Sequence, residues 1–523
     1  MTAHPVLING QWRAAAASGQ FQAVNPSTQE TLADVYPVSS WSDCDAALAA
    51  AQTAAAEMRK LSGGQIADFL EDYANRIDAR KDDLAAAAHQ ETALPVSPRL
   101  ADVELPRTSG QLRQAAAAAR EGSWAQHTID TAAGIRSHYA PLGPVCVFGP
   151  NNFPFAFGSI SGGDFAAALA AGNPVIAKAH SSHPTTTRIF AEAALAACQA
   201  SALPDAAVQM IYRLSHSDGE KLVSDPRVGA TGYTGGRSAG LKLKAAADAA
   251  GKPIYLELSS INPVAILPGA LKERGEELAG EFTGSCLMGA GQFCTNPGLV
   301  LLLAGEETET FVQQTAEKFQ AAPVGTLLGP GVESSLKGNL ELLVKAGAQQ
   351  LTTGAASGKG FCHSNTLLRA SGSQFLSNPA AFQEEAFGNA SLLVVADNLD
   401  QLAEILEHLE GNLTGCVYSD TQGSDDAAYD RVAAGLRPKV GRLLNDKMPT
   451  GVAVSPAMNH GGPYPATGHP GFTAVGLPAS MLRFAMLQCY DAVRPHRLPA
   501  GLQDKNPGQM WRLVDKQWTT DDV

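Results

Sequence analysis

Charged residues are scarce in this chain, 17% of 523 positions, and they lean acidic, with 51 Asp and Glu against 38 Lys and Arg. A formal net charge of −13 repels phosphate backbones and anionic lipid, which argues against nucleic acid and membrane surfaces as partners. The eight cysteines, Cys44, Cys146, Cys198, Cys286, Cys294, Cys362, Cys416 and Cys489, include no CxxC pair and no cluster. Neither a zinc knuckle nor a disulfide framework is indicated, and free thiols in a reducing compartment, the cytoplasm, are expected. The twelve histidines show no HxH or HxxxH spacing, so no metal is expected. Met1 to Trp12 lack the basic-then-apolar texture of a secretory signal. Alanine-rich tracts such as Ala47 to Ala56 are interrupted well short of the ~20 apolar residues that span a bilayer. What is present is a globular composition, 45% apolar. The chain is about twice the length at which one hydrophobic core stops growing, so two or more domains are expected.

The first 140 residues read as a strand-turn lead-in followed by helices. Ile66, Phe69, Leu70, Tyr73 and Ile77 share one helical face, with Asp68, Glu71, Asp72 and Arg76 on the others, which predicts an amphipathic helix at the surface. From Pro144 the texture changes to short apolar runs alternating with Ala-rich helical stretches: Val145 to Phe148, Val175 to Ala177, Val208 to Tyr212, Val228 to Thr231, Ile254 to Leu258 and Val264 to Leu267. Such alternation predicts a parallel sheet with right-handed crossovers, hence a doubly wound α/β domain. A second α/β block begins near Asn262, with helical signals at Glu306 to Phe319 and Leu399 to Leu409 and apolar runs at Val300 to Leu303 and Leu392 to Val395. Beyond His460 the chain is dense in Gly and Pro, and its end holds Trp511 and Trp518, the kind of residue that anchors a strand against another surface.

Several short segments can carry chemistry, each with an ordinary alternative. In Gly289-Ala290-Gly291-Gln292-Phe293-Cys294-Thr295-Asn296-Pro297-Gly298 a lone thiol sits on a flexible loop, where backbone N–H groups can activate it; a small buried hydrophobe is the common fate of a cysteine. Cys286 is its decoy. Glu257 interrupts the apolar run Ile254 to Leu258, either as a buried base or as an edge residue in solvent. Asn152 follows a strand in a Pro-framed turn, at the end where α/β sheets place ligands. Lys178 and Ser181 end another strand before a helix and suit a ribose or phosphate, although a solvated lysine is the plain alternative. Glu384-Glu385-Ala386-Phe387-Gly388 reads by itself as an acidic turn.

Taken in order and spacing, these segments resemble the aldehyde dehydrogenase superfamily over nearly the whole chain, from Asn9-Gly10-Gln11-Trp12 and Asn25-Pro26 to Glu385-Ala386-Phe387-Gly388. The Asn-Phe-Pro turn, the strand-end Lys178, the Leu-Glu-Leu strand and Gly-Gln-Phe-Cys, with Cys294 37 positions after Glu257, carry the match. Within the superfamily the chain looks most like NADP-dependent α-ketoglutaric semialdehyde dehydrogenases and related fatty-aldehyde enzymes. The finer match rests on Met288 to Gly298, His460-Gly461-Gly462-Pro463-Tyr464-Pro465-Ala466-Thr467, and the tail from Leu502 to Asp515.

The resemblance implies a Rossmann-type cofactor domain (1–122 and 141–258), an α/β catalytic domain (259–459) and a small oligomerisation β element (123–140 and 488–523), with 460–487 returning to the cofactor domain. It implies a dimer or tetramer. It implies Cys294 as nucleophile, Asn152 as oxyanion donor and Glu257 as base. For the cofactor it implies Lys178 and Ser181 on the adenosine ribose, Gly232 from the irregular Thr231-Gly232-Tyr233-Thr234-Gly235-Gly236-Arg237 run, and Glu385 and Phe387 at the nicotinamide. Ser181 stands where NAD users carry a Glu, so NADP is favoured, NAD being the alternative, and Arg213 is a candidate second phosphate ligand. The expected reaction is oxidation of an aldehyde, with 2-oxoglutarate semialdehyde ahead of a medium- or long-chain alkanal. A cofactor-independent esterase or thioesterase and a silent binding protein are the readings from other classes.

Overall fold

Short apolar runs bury both faces of a strand, and here they assemble into two large, largely parallel sheets in the computed structural model, which describes residues 2–354 and 357–523. The first sheet has seven strands in the order Ile254–Glu257, Ala230–Thr234, Val145–Phe148, Val175–Lys178, Val208–Ile211, Val6–Ile8, Gln11–Arg13. Its first five strands are parallel, and the register sets Phe148 beside Tyr233 and Lys178, Lys178 beside Ile211, and Thr234 beside Glu257. The carboxyl ends of these strands therefore form one edge, the edge on which open α/β sheets bind ligands.

Helix Gly63–Ala79 buries Ile66, Phe69, Leu70, Tyr73 and Ile77, as its periodicity predicts, and is capped by a reciprocal Ser62–Gln65 box. Several strand boundaries move by a residue or more, two of them for a visible reason. The run expected at Val228 to Thr231 is the strand Ala230–Thr234, because Val228 and Gly229 close a turn onto Asp225 and Pro144 before pairing starts. The strand through Tyr255 stops at Glu257, because the Leu258 N–H leaves the ladder for the carbonyl of Ala466.

The second sheet runs Gln349–Gln350, Thr366–Ser371, Ala390–Ala396, Leu299–Leu303, Val264–Ile266, Asn412–Tyr418, Val440–Asn445. Helices Pro268–Leu287 and Glu306–Ala321 bury Phe282, Phe311 and Phe319 against one face, while Leu336, Leu402, Ile405 and Leu436 pack on the other. The segments that matter most precede its strands: Ser259 to Asn262 before Val264, Cys294 before Leu299, and Glu385 to Gly388 before Ala390. The amino ends of the second sheet thus face the carboxyl ends of the first.

A third sheet joins Ala485–Asp491, Ile135–Pro141, Thr128–Asp130, Arg512–Val514 and Gln517–Thr519. Its edge strand starts at Ala485, three residues before the expected 488, because Ala485 to Leu487 already pair with Pro141 to Tyr139. Residues 460–484 lie against the first domain, where Leu477, Met481 and Phe484 enter its core and Arg483 pairs with Asp164 at 2.8 Å. Trp511 and Trp518 are exposed on the third sheet. No helix among the described residues is long and apolar enough to cross a membrane.

Candidate active site

Where the two large sheets meet lies a cleft of about 260 Å³, lined among others by Asn152, Gly235, Gly236, Glu257, Ser259, Cys294, Glu385 and Phe387. Five of the residues singled out from sequence, Asn152, Glu257, Cys294, Glu385 and Phe387, thus meet in one place although they are spread across both domains.

Cys294 is delivered by an irregular turn. Helix Pro268–Leu287 ends in a short turn, Met288–Gly291, in which Gly289, Ala290 and Gly291 all take positive φ. A side chain at Gly291 would stand 1.9 Å from the carbonyl oxygen of Gly388, so only glycine lets the thiol loop cross the Glu385 loop this closely. Asn262, buried with φ +48, fastens the loop to the start of the second sheet: its amide nitrogen donates to the carbonyls of Ser260, Cys294 and Asn296 at 3.1, 2.9 and 2.9 Å. The decoy Cys286 is fully buried in the second domain's core, with its thiol pushed up to about 12 by burial. Cys294 is partly exposed.

Glu257 occupies an edge strand, as the solvent alternative had it, yet only 1% of it is exposed. The Gly-Pro-rich segment after His460 covers the edge through a bridge from Glu257 to Thr467. That cover brings in a residue to which sequence reasoning assigned no chemical role. Nε2 of His460 lies 3.0 Å from Glu257 Oε1 and 3.5 Å from Cys294 Sγ, and thiol, imidazole and carboxylate atoms all fall within 4.8 Å of one another. Glu257 Oε2 is buried without a hydrogen-bond partner among the described residues. The signal that pointed here was the His460-Gly461-Gly462 run, quoted only as a mark of resemblance.

Burial first, and the negative charge of Glu257 second, push the Cys294 thiol well above the ordinary cysteine range. The resting thiol is therefore protonated, and because His460 Nε2 donates to the Glu257 carboxylate, that carboxylate, within 4.8 Å, is the group placed to receive the proton. Nδ2 of Asn152 donates to the carbonyl of Gln292 at 3.1 Å, next to the thiol loop. An amide carries two N–H bonds, so the second can serve an oxygen anion on a carbon bound to Cys294.

The cofactor candidates divide. Thr234, Gly235 and Gly236 line the cleft ahead of helix Arg237–Ala249, whose N-terminus carries no side-chain cap and presents free N–H groups suited to a pyrophosphate. Gly232, by contrast, lies inside the strand Ala230–Thr234, packed against Asp164, and does not reach the cleft. Glu385 is pushed up to about 7 by burial, against hydrogen bonds from Ser259 and Ser260 that favour its charge, so it can accept from a sugar hydroxyl near neutral pH. Lys178 is pushed down to about 8, by burial first and by the charge of Arg213 second. Lys178 and Arg213 thus stand near each other at adjoining strand ends, with Ser181 in the turn beyond Lys178, and all three lie outside the cleft's lining. The uncapped helix end, the buried carboxyl acceptor and the paired cations fit a dinucleotide.

A doubly wound domain and a second α/β domain, with a thiol, an imidazole and a carboxylate held between them, place the chain among two-domain oxidoreductases that bind a dinucleotide. The chain belongs to the aldehyde dehydrogenase family, whose model matches residues 12–461. It is 39% identical to alpha-ketoglutaric semialdehyde dehydrogenase 2 of Azospirillum brasilense, over 97% of this chain and 98% of that one. It is 35% identical to alpha-ketoglutaric semialdehyde dehydrogenase of Acinetobacter baylyi, over 97% of each. The fold is also that of lactaldehyde dehydrogenase from Escherichia coli, with TM-score 0.79 and 22% identity over 93% of this chain and 98% of that one. PnpE in complex with nicotinamide adenine dinucleotide superposes with TM-score 0.80 at 20% identity over 94% of this chain and 97% of that one. The protein is an oxidoreductase that acts on aldehydes with NAD or NADP.

Proposed function

We propose that the protein oxidises 2-oxoglutarate semialdehyde to the dicarboxylic acid with NADP. The observation that carries the chemistry is the convergence of Cys294, His460, Glu257 and Asn152 at one cleft; the substrate follows the names of the two similar relatives. Glu257, held by the Nε2–H of His460 and within 4.8 Å of the sulfur, takes the thiol proton as Cys294 Sγ attacks the aldehyde carbon. Asn152 Nδ2 and the Cys294 backbone N–H hold the resulting oxyanion, an arrangement in which a single donor is worth about 3 kcal/mol. The bound cofactor supplies a hydride acceptor, and a thioester on Cys294 remains. Once that proton has passed to solvent, Glu257, steadied by His460, draws a proton from the water that hydrolyses the thioester and returns it to the departing sulfur, releasing acid and thiol.

For the cofactor, no carboxylate stands at Ser181 to repel a 2′-phosphate, and Lys178 with Arg213 supplies cations for it. Free cysteines throughout suit the cytoplasm. The exposed Met486 and Leu487 on the third sheet's edge strand support a dimer or tetramer built through that strand. A medium-chain alkanal is the second reading, favoured by the ring wall of Phe153, Phe157, Phe293 and Phe472 beside the site.

The test is an aldehyde panel read by absorbance of reduced cofactor, run with NADP and NAD in parallel. A preference for unsubstituted alkanals above about tenfold, roughly 1.4 kcal/mol, overturns the substrate. An unchanged NADP preference in Arg213→Ala removes that residue from the phosphate site.

A further inference from the structure

Three guanidinium groups stand near the thiol loop, and two of them are spoken for. Arg99 pairs with the buried carboxylate of Glu104 at 2.5 Å and donates to the carbonyl of Asn152 at 3.0 Å. Arg442 donates to the carbonyls of Pro449 and Gly451 at 2.9 and 3.1 Å. Arg107 differs. Its Nη1 donates to the carbonyl of Val452 at 2.8 Å, while its Nε and Nη2, both buried, have no partner among the described residues.

These two nitrogens form one edge of the guanidinium, the edge that grips carboxylates. Elsewhere in the molecule Arg227 shows the grip complete, Nε to Oδ1 of Asp225 at 2.8 Å and Nη2 to Oδ2 at 2.9 Å. At Arg107 the fork has no acid to hold. Glu104, one helical turn away, is already satisfied by Arg99 and by the N–H groups of Phe155 and Ala156. A buried cation without a counter-ion is costly to the fold, and such a cost persists where a ligand supplies the missing charge.

The position suits a substrate tail. The guanidinium lies 5.2 Å from the ring centre of Phe157, that ring lies 5.5 Å from the His460 ring, and His460 touches Cys294. Around it Phe153, Phe293, Phe472 and Val452 make an apolar wall.

We propose that Arg107 is the anchor for a carboxylate at the far end of the aldehyde, gripped through Nε–H and Nη2–H, and that the pocket therefore selects ω-carboxylated aldehydes over alkanals of the same length. This assignment rests on the aldehyde-oxidising activity proposed above and adds the group that reads the substrate's tail.

The experiment compares 5-oxopentanoate with pentanal. In the unmodified protein kcat/KM favours 5-oxopentanoate at least thirtyfold. In Arg107→Met that ratio collapses towards one, and inhibition by glutarate, a carboxylate probe without the aldehyde, is lost. Arg107→Lys keeps a charge without the fork: KM for 5-oxopentanoate rises about tenfold while kcat holds, and this arm decides the matter should Arg107→Met fail to fold. A ratio near one in the unmodified protein, an equal loss on both aldehydes in Arg107→Met, or an unmoved KM in Arg107→Lys overturns the assignment. If neither aldehyde reduces cofactor in the unmodified protein, the activity itself falls and the anchor falls with it.

Discussion

Replacing His460 is the sharpest probe of the site, because this ring touches both partners of the reaction. In His460→Ala, Glu257 Oε1 loses its contact at 3.0 Å while Oε2 already has none, which leaves a carboxylate buried without a partner. Removing one member of such a buried pair costs about 3 to 5 kcal/mol of stability. A general base is worth about 10²- to 10⁴-fold in rate, and with Glu257 no longer held in place kcat should fall at least a hundredfold, or about 2.7 kcal/mol. His460→Gln restores an N–H that can donate to Oε1. Its urea midpoint and its turnover should both recover most of the way to the unmodified values. Single-turnover absorbance of reduced cofactor then locates the damage in His460→Ala: the burst and the steady state both slow if Glu257 receives the thiol proton, and only the steady state slows if it activates water alone. Turnover in His460→Gln as low as in His460→Ala would refute the positioning role.

Three further outcomes are expected. Iodoacetamide should alkylate Cys294 in the cofactor-free protein faster as pH rises beyond the usual cysteine range near 8.5, since burial and Glu257 hold the thiol protonated. Glu257→Gln removes the like charge and should move that rise to lower pH; a profile already complete at pH 7 would contradict it. Cofactor affinity, followed by fluorescence of the reduced form, should weaken as pH falls through about 7, because Glu385 with its raised pKa becomes protonated and loses its acceptor role. The change between pH 8 and 6 is up to about tenfold, and it should be absent in Glu385→Gln. Asn262→Ala strips donors from three buried carbonyls, at about 1 kcal/mol each, and puts alanine at φ +48. A loss near 4 kcal/mol in urea unfolding is expected, and a loss below about 1 kcal/mol would show that the loop is held by something else.

The apolar runs located the strands because strands buried on both faces have no polar alternation to hide them, and the groups at their ends fell into place with them. Asn152, Glu257, Cys294, Glu385 and Phe387 each sit within a few residues of a strand end, so strand register alone brings them together. His460 obeys no such rule. It stands 203 residues from Glu257 and 166 from Cys294 in sequence, on a Gly-Pro segment with neither period, and only the covering of a sheet edge gives it neighbours. Arg107 was unreadable for a related reason: a lone arginine on a helix is ordinarily solvated, and its lack of an acid partner is a fact of packing. Gly232 falls short of the cofactor because its pairing with Val147 and Tyr255 continues the strand and leaves Gly235 and Gly236 as the turn before the helix.

The charges around the thiol also explain how the site keeps a reactive group quiet until it is needed. Thiolate is the nucleophile and the species most open to oxidants, and burial together with Glu257 holds Cys294 in the thiol form, while Arg107 pulls the other way. A substrate carboxylate seated on Arg107 would cancel that pull, so a pocket relying on Arg107 to ionise the thiol would weaken its own nucleophile on binding. Ionisation must then be driven locally, by transfer of the proton to the Glu257 carboxylate that His460 holds within 4.8 Å of the sulfur. The division of labour follows from the positions alone: Glu257 and His460 beside the sulfur handle its proton, and Arg107, a ring further out, is free to read the substrate.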